Sequence, residues 1–128
     1  MAEMSDYLEN KVLNHSLGTS DIGAFVTQMY LSLHTGDPTD DDGVEVSGGS
    51  YVRKAISFAS ASGTSGAVAS TDAQSFTGMP AVTVEYIGIH DASSSGNLMY
   101  HTQVDTAKAV LAGDTISVAI GAVTVTLA

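Results

Sequence analysis

Apolar and polar residues alternate along most of this chain, and turns rich in Gly, Ser, Asn and Asp interrupt the alternation roughly every ten residues. Successive strand side chains point to opposite faces, so a period of two buries one face and wets the other. Residues 82–90 carry the pattern most clearly, and residues 98–104 resume it after the polar turn DASSSGN at 91–97. Near the end, Ile116, Val118 and Ile120 alternate, and Val123, Val125 and Leu127 then alternate on the opposite parity. Gly121-Ala122 lies between the two sets. A two-residue turn or a bulge there returns both to one core.

The same reading predicts a strand over residues 24–34, half-buried on the face of Phe25, Met29, Leu31 and Leu33. Gln28, Ser32 and His34 fall on its other face with Val26 and Tyr30. Residues 51–59 form the next strand, with Val52, Ile56 and Phe58 pointing one way and Arg53, Ala55 and Ser57 the other. Weak edge strands are expected at 67–69 and 75–77. Residues 109–111 are expected to pair with 115–120 across the turn Ala112-Gly113-Asp114. These elements predict an all-β fold, an antiparallel β-sandwich or jelly roll of about seven to nine short strands. Helix and strand do not alternate, which argues against a nucleotide-binding α/β sheet. A chain of 128 residues is expected to form a single domain over 1–128, with the sandwich at 24–128.

One short N-terminal α-helix precedes the strands, predicted over residues 5–17. Ser5 suits the N-cap, Asp6 and Glu9 sit where the helix dipole favours acids, and Gly18 fits the stop. Leu8, Val12 and Leu13 fall near one face, with Leu17 a turn further on. A helix this short is marginal alone, so this face must dock on the chain's own β-core or on a neighbouring subunit. Tyr7, Leu8, Val12 and Leu13 are therefore candidate interface residues. Residues 19–23 read as a linker. The long polar stretch 35–50, TGDPTDDDGVEVSGGS, holds Pro38, four glycines and five acids, and reads as a functional or partly disordered loop.

Net charge is −10, with only Lys11, Arg53, Lys54 and Lys108 as bases. Phosphate binding needs a basic stripe, so nucleic acid is not an expected partner. An anionic membrane is not one either. No apolar stretch approaches the roughly 20 residues that span a bilayer, and the acidic N-terminus shows no secretory signal. The absence of cysteine excludes disulfides, thiol catalysis and thiolate metal sites.

Enzyme chemistry finds no motif. There is no G-x-S-x-G around Ser47, Ser50 or Ser65, and Gly48-Gly49 is not followed by the Lys of a phosphate loop. Asp37, Asp40, Asp41, Asp42 and Glu45 could offer oxygens to Ca²⁺, but the EF-hand spacing fails: Pro38 falls at position one and Gly49 at position twelve. His15, His34, His90 and His101 lack metal spacing and are expected on strand surfaces or interfaces. Tyr30, Tyr51, Tyr86 and Tyr100 could stack sugars, but each also fits an ordinary strand. The expectation is a non-enzymatic protein without cofactor or resident metal.

Four stretches together carry a resemblance. They are L-H-T-G-D-P at 33–38, E-V-S-G-G-S-Y-V-R at 45–53, G-I-H-D-A at 88–92 and A-G-D-T at 112–115. With the N-terminal helix, this succession resembles a family of small tailed-phage virion structural proteins, often labelled tail-fibre or minor structural proteins. The resemblance spans nearly the whole chain, and the block at 45–53 is its most specific part. It implies a component of the virion that packs on other phage structural proteins, as a head decoration (cement) protein, a tail-fibre or tail-tip component, or a receptor- or glycan-binding module. Short length, without shaft repeats, favours capsid decoration. A symmetric homo-oligomer is expected, a trimer first.

Relatives carry Trp where this chain has His90, and again at Tyr100 or His101, so these three are candidate contacts more polar than the family's. Ser47-Gly48-Gly49 is expected to supply positive φ for a sharp turn into the strand at Tyr51. Arg53 is expected to pair with a carboxylate of the acidic loop. Its loss is expected to weaken assembly more than the core.

Overall fold

The structure, a computed structural model, describes residues 3–19, 28–39, 44–61 and 66–126. The helix α1 spans Asp6–Ser16 and is preceded by a two-residue strand, β1 (Glu3–Met4). Eight further strands follow: β2 (Met29–His34), β3 (Lys54–Ile56), β4 (Ala67–Ala69), β5 (Gln74–Phe76), β6 (Val82–His90), β7 (Leu98–Val110), β8 (Ile116–Val118) and β9 (Thr124–Thr126). All pairings are antiparallel. The main sheet has the order β1-β7-β6-β2-β3, and two ribbons, β4-β9 and β5-β8, stand apart from it. The fold is therefore all-β with one short N-terminal helix.

A hydrophobic cluster joins the main sheet to the ribbons. Leu31, Leu33, Ile56, Val84 and Ile89 come from the sheet; Phe76, Ile116 and Val125 come from the ribbons, with Val123 just before β9. Opposed rungs place Phe76 beside Ile116 and Val68 beside Val125, so each ribbon presents a matched apolar pair. The phase change works as the alternation predicts. Gly121 takes φ 77° in a turn closed by Ala122 N–H donating to Ala119 O, and Ile116, Val123 and Val125 all reach the core. Ile120 lies in the turn itself and is 69 % exposed.

Four expectations need correction. Residues 109–110 do not fold back on 115–120. They pair with Val82 and Thr83 of β6, while β8 pairs with β5. The reason lies in the turn. Gly113 N–H donates to Met79 O and Met79 N–H donates to Asp114 O, which carries the chain across to the ribbon layer. The strand expected at 51–59 shortens to β3, and Val52 is exposed although it shares parity with buried Ile56. Beside Leu33, the place of a β3 ladder rung is taken by a side chain: Leu33 N–H donates to the Tyr51 hydroxyl at 3.0 Å. Strand β7 runs on past residue 104, and four of its residues, 104–107, lie opposite the single residue Glu85. Finally, β2 is buried on both faces from Leu31 to His34, not on the odd face alone. Residues 24–27 of that expected strand, the linker beyond Thr19, Asp40–42 of the acidic loop and Leu127 lie outside the described residues.

The helix matches its expected bounds. Ser5 is the N-cap, accepting from Leu8 N–H, and Leu17 is the C-cap. Ser5 also fastens the helix to β7. Its N–H donates to Met99 O at 2.9 Å and its hydroxyl to Leu98 O. Only Leu8 of the helix is buried.

Candidate functional site

Three of the sequence blocks that lie far apart in the chain meet on the outer face of the main sheet, the face turned away from the hydrophobic core. The register explains it. Ser32 pairs with Gly88, Tyr30 with His90 and His34 with Tyr86, and across β7 Gly88 pairs with His101. Opposed residues share a face, so Tyr30, Ser32, His34, Tyr86, Gly88, His90 and His101 all lie on it. Water does not reach its centre. Ser32, His34 and His90 have no exposed surface, and His101 keeps 6 %.

Ser32 Oγ sits between two imidazoles, 2.9 Å from His34 Nε2 and 3.0 Å from His90 Nδ1. The two rings stack, with centroids 6.1 Å apart and planes 12° apart. A hydroxyl has one proton to give. In the neutral pair it donates to one ring and accepts from the other, so either both rings are Nδ1–H tautomers or both are Nε2–H tautomers. Gly88 makes the space. A Cβ there would stand 2.8 Å from Ser32 Oγ, 2.9 Å from His34 Nε2 and 2.9 Å from Leu98 Cδ1. The glycine of the G-I-H-D-A block is thus a packing requirement of the histidine pair.

The second half of the site is a bracket built by the block at 45–53. Glu45 lies beside His34 in an isolated bridge, and Val46 N–H donates to Leu33 O. Arg53 meets the Glu45 carboxylate through two contacts, Nε to Oε2 at 2.9 Å and Nη2 to Oε1 at 2.8 Å. Its Nη1 reaches the carbonyls of Ala92 at 3.0 Å and Ser95 at 2.8 Å. One side chain therefore ties the acidic stretch to the turn at 91–97. Tyr51 completes it. Its hydroxyl donates to Glu45 Oε2 at 2.8 Å, and its ring stacks on Phe76 of the opposite layer at 5.9 Å. The Gly48-Gly49 turn that delivers Tyr51 has positive φ at both residues, 105° and 55°, as its composition predicts. A Cβ on Gly49 would approach Gly78 O to 2.4 Å, so only glycine fits.

The electrostatics follow from this geometry. Burial works against the charge of Glu45, but hydrogen bonds from Arg53 and Tyr51 and the positive charge of Arg53, with a smaller contribution from His90 when that ring is protonated, outweigh it, holding the carboxyl below its usual range. Burial, with the Glu45 carboxylate beside it, pushes the Tyr51 hydroxyl well up. Asp91 is likewise opposed by burial and lowered on balance, because Asn97 donates to it twice, from N–H at 2.7 Å and from Nδ2 at 3.0 Å. At the sheet edge, His101 Nδ1 lies 3.9 Å from Glu3 Oε2 and 3.8 Å from Asp37 Oδ1.

A serine beside an imidazole has the parts of a nucleophile and base. Here both are sealed, and the oxygen is shared between two rings, so no substrate atom reaches it in this conformation. Among the described residues, no group of three His, Cys, Asp or Glu is placed to hold a metal ion.

The candidate contact residues divide into two sets. Leu8, Arg53, His90 and His101 are covered by the chain's own atoms, at 3 % for Leu8, 6 % for the Arg53 side chain, and 0 % and 6 % for the histidines. Tyr100 is half-buried, and burial raises its hydroxyl pKa. Tyr7 and Val12 are each 36 % exposed and Leu13 54 %. Exposure climbs along the helix from buried Leu8 to Leu17 at 72 %. The first turn is pinned to β7, while the later turns present apolar side chains outward. The sequence missed the pairing of Ser32 with His34 and His90. The signal was present in the parity of β2 and in Gly88, but nothing in a single strand reveals what covers its second face.

Comparison with known proteins adds one match. The model of the family described as podophage GP4 fiber I protein gp80 matches residues 3–126. Among curated proteins, none matches the chain.

Proposed function

From the premise that the chain belongs to the podophage GP4 fiber I protein gp80 family, we propose that it is a non-enzymatic structural subunit of the virion, working in a fibre. The observation that carries the reading is the extent of the match, which takes in the helix, every described strand and the three blocks that build the buried bracket. The whole chain acts as one domain that packs on neighbouring phage proteins. Copies of itself are among them, with a trimer as the first expectation. Tyr7, Val12, Leu13 and Leu17 of the helix are the contact residues, because they are the exposed apolar side chains next to a rigid anchor on β7. Arg53, His90 and His101 serve assembly indirectly, by holding the two turns in shape.

Quantitative mass spectrometry of purified particles tests the address. A fibre subunit is present in few copies per particle. A head decoration protein, the competing reading, would be present in hundreds. The contact is tested with the double variant Leu13→Asp, Leu17→Asp. It should fold with an unchanged melting temperature yet fail to join particles or its own oligomer. Normal incorporation of the variant would refute the helix as the contact.

A further inference from the structure

A cleft of about 630 Å³ opens between β7 and the segment that runs from β8 through the turn at 119–122 to β9. Its floor is the margin of the core itself, where Leu33, Val84, Ile116 and Val123 line it. Exposed Ala119 stands at its wall with two exposed charges of β7, Asp105 and Lys108. Neither charge is ion-paired among the described residues. The helix has the converse shape. Glu9, Leu13 and Leu17 follow at intervals of four, so they form one exposed stripe along α1 and its cap. Buried Leu8 holds the other side of the helix. Among the described residues, α1 adds nothing to the lining of its own cleft. A cyclic trimer joins two different patches of each copy, so a helix stripe that meets a neighbouring copy needs a counterpart elsewhere on the chain.

On the reading of the helix as the contact face, we propose that the Glu9–Leu13–Leu17 stripe of one copy seats in the cleft of the next, a head-to-tail contact between β7 and β8. The mode is that of an amphipathic helix in an apolar groove. Leu13 and Leu17 enter over Val84 and Ile116 and lose water on both sides. Charge selects this occupant. With Arg53 bound to Glu45, three bases remain in a chain of net charge −10, and one of them, Lys108, stands in the cleft. The stripe begins with an acid, Glu9, which meets Lys108 when the helix lies one way and is repelled by Asp105 when it lies the other. An exposed pair of this kind sets direction and adds little strength, whereas the leucines hold the contact. Repeated from copy to copy, such a contact closes a ring or extends a fibre.

Complementation, followed by sedimentation velocity at about 0.15 M salt, tests it. Leu13→Asp, Leu17→Asp removes the stripe and leaves the cleft. Lys108→Glu, Ala119→Glu spoils the cleft at exposed positions and leaves the stripe. Each variant alone should be a monomer. An equal mixture should form dimers and nothing larger, because one intact stripe meets one intact cleft. Glu9→Lys and Lys108→Glu should each raise the dissociation constant about 1.5- to fivefold, and the two in one chain should restore it. A mixture that stays monomeric overturns the cleft as the counterpart but leaves the helix as a contact for another surface. A folded cleft variant that assembles like the wild type overturns it as well, and so does a wild-type chain still monomeric at about 1 mM. Normal assembly of Leu13→Asp, Leu17→Asp is the different result that sinks the helix contact itself. Should the cleft variant not fold, the charge exchange decides: single variants without loss, or a double without recovery, overturn the proposal.

Discussion

Replacing Arg53 with Ala removes a side chain that joins the acidic stretch to the turn at 91–97. Among the described residues, four hydrogen bonds go with it, two to Glu45 and one each to Ala92 O and Ser95 O. The carbonyl of exposed Ser95 regains water at little cost. Glu45 does not, because its side chain is only 23 % exposed and keeps Tyr51 alone as donor. Removing one partner of a buried pair costs about 3–5 kcal/mol, and partial access of water to Glu45 brings the expectation to about 3 kcal/mol. At roughly 3–5 °C per kcal/mol for a chain of this size, the melting temperature should fall by about 10 °C. Urea and thermal unfolding followed by circular dichroism measure it. A cycle with Glu45→Gln sharpens the test. Once the carboxylate charge is gone, losing Arg53 no longer strands that charge, so the double variant should be more stable than the sum of the singles by about 1–2 kcal/mol. A loss within about 0.5 kcal/mol for Arg53→Ala would refute the bracket as a source of stability. Sequence reasoning alone puts the cost of this substitution in assembly; the geometry moves it into the fold.

Other perturbations separate the layers of the structure. Gly88→Ala forces three side-chain contacts under 3.0 Å and should cost about 1–3 kcal/mol, with loss of the Ser32–histidine geometry visible in imidazole chemical shifts. Leu8→Ala should cost about 2–5 kcal/mol, whereas Leu17→Ala should stay within about 0.5 kcal/mol in the isolated subunit, so similar melting shifts for both would contradict the helix anchor. Glu45 and Asp91 titrate below their unfolded values, so their stabilisation is complete above the ordinary carboxylate range of about 4 and is lost as pH falls through their lowered values. Acid unfolding should therefore show a carboxylate phase below about pH 4, and Glu45→Gln should shrink it.

Much of the fold was legible because the core uses the plainest code. Strand β6 appears at its expected bounds, the helix agrees to one residue at each end, and the Gly121 turn brings Ile116, Val123 and Val125 onto one core while Ile120 stays exposed. The failures have a common cause. Residues 109–110 could pair with either of two neighbours of equal apolar quality, and contacts of Met79, some thirty residues away, decided it. Val52 has the right parity but lies before the short ladder of β3 begins. Ser32 and His34 look like solvent-facing strand residues because the alternation along β2 marks only one of its two buried faces. Periodicity reports what a strand could bury, not what the rest of the chain lays on top. The site was legible only in pieces. Arg53 could be matched to a carboxylate because bases are so few, but which acid and which carbonyls required the turn geometry of Gly48-Gly49 and of Ser95, where φ is 54°.

Charge sets the terms on which copies of this chain can meet. Fourteen acids stand against four bases, and one of those bases, Arg53, is spent internally. Two copies at net charge −10 repel, and at low ionic strength that repulsion extends over about 30 Å. A self-contact must then be apolar, which the exposed Val12, Leu13 and Leu17 supply, and it should tighten as salt is added. Raising ionic strength from about 0.01 to 0.15 M shortens the screening length to about 8 Å, removing most of the opposing term without touching apolar burial. Sedimentation velocity across that range should show the oligomer growing with salt in the wild type, and no growth in Leu13→Asp, Leu17→Asp. An assembly held by ion pairs would behave oppositely and dissociate as salt rises, so the sign of the salt response alone decides whether the helix face or a charged surface brings the subunits together.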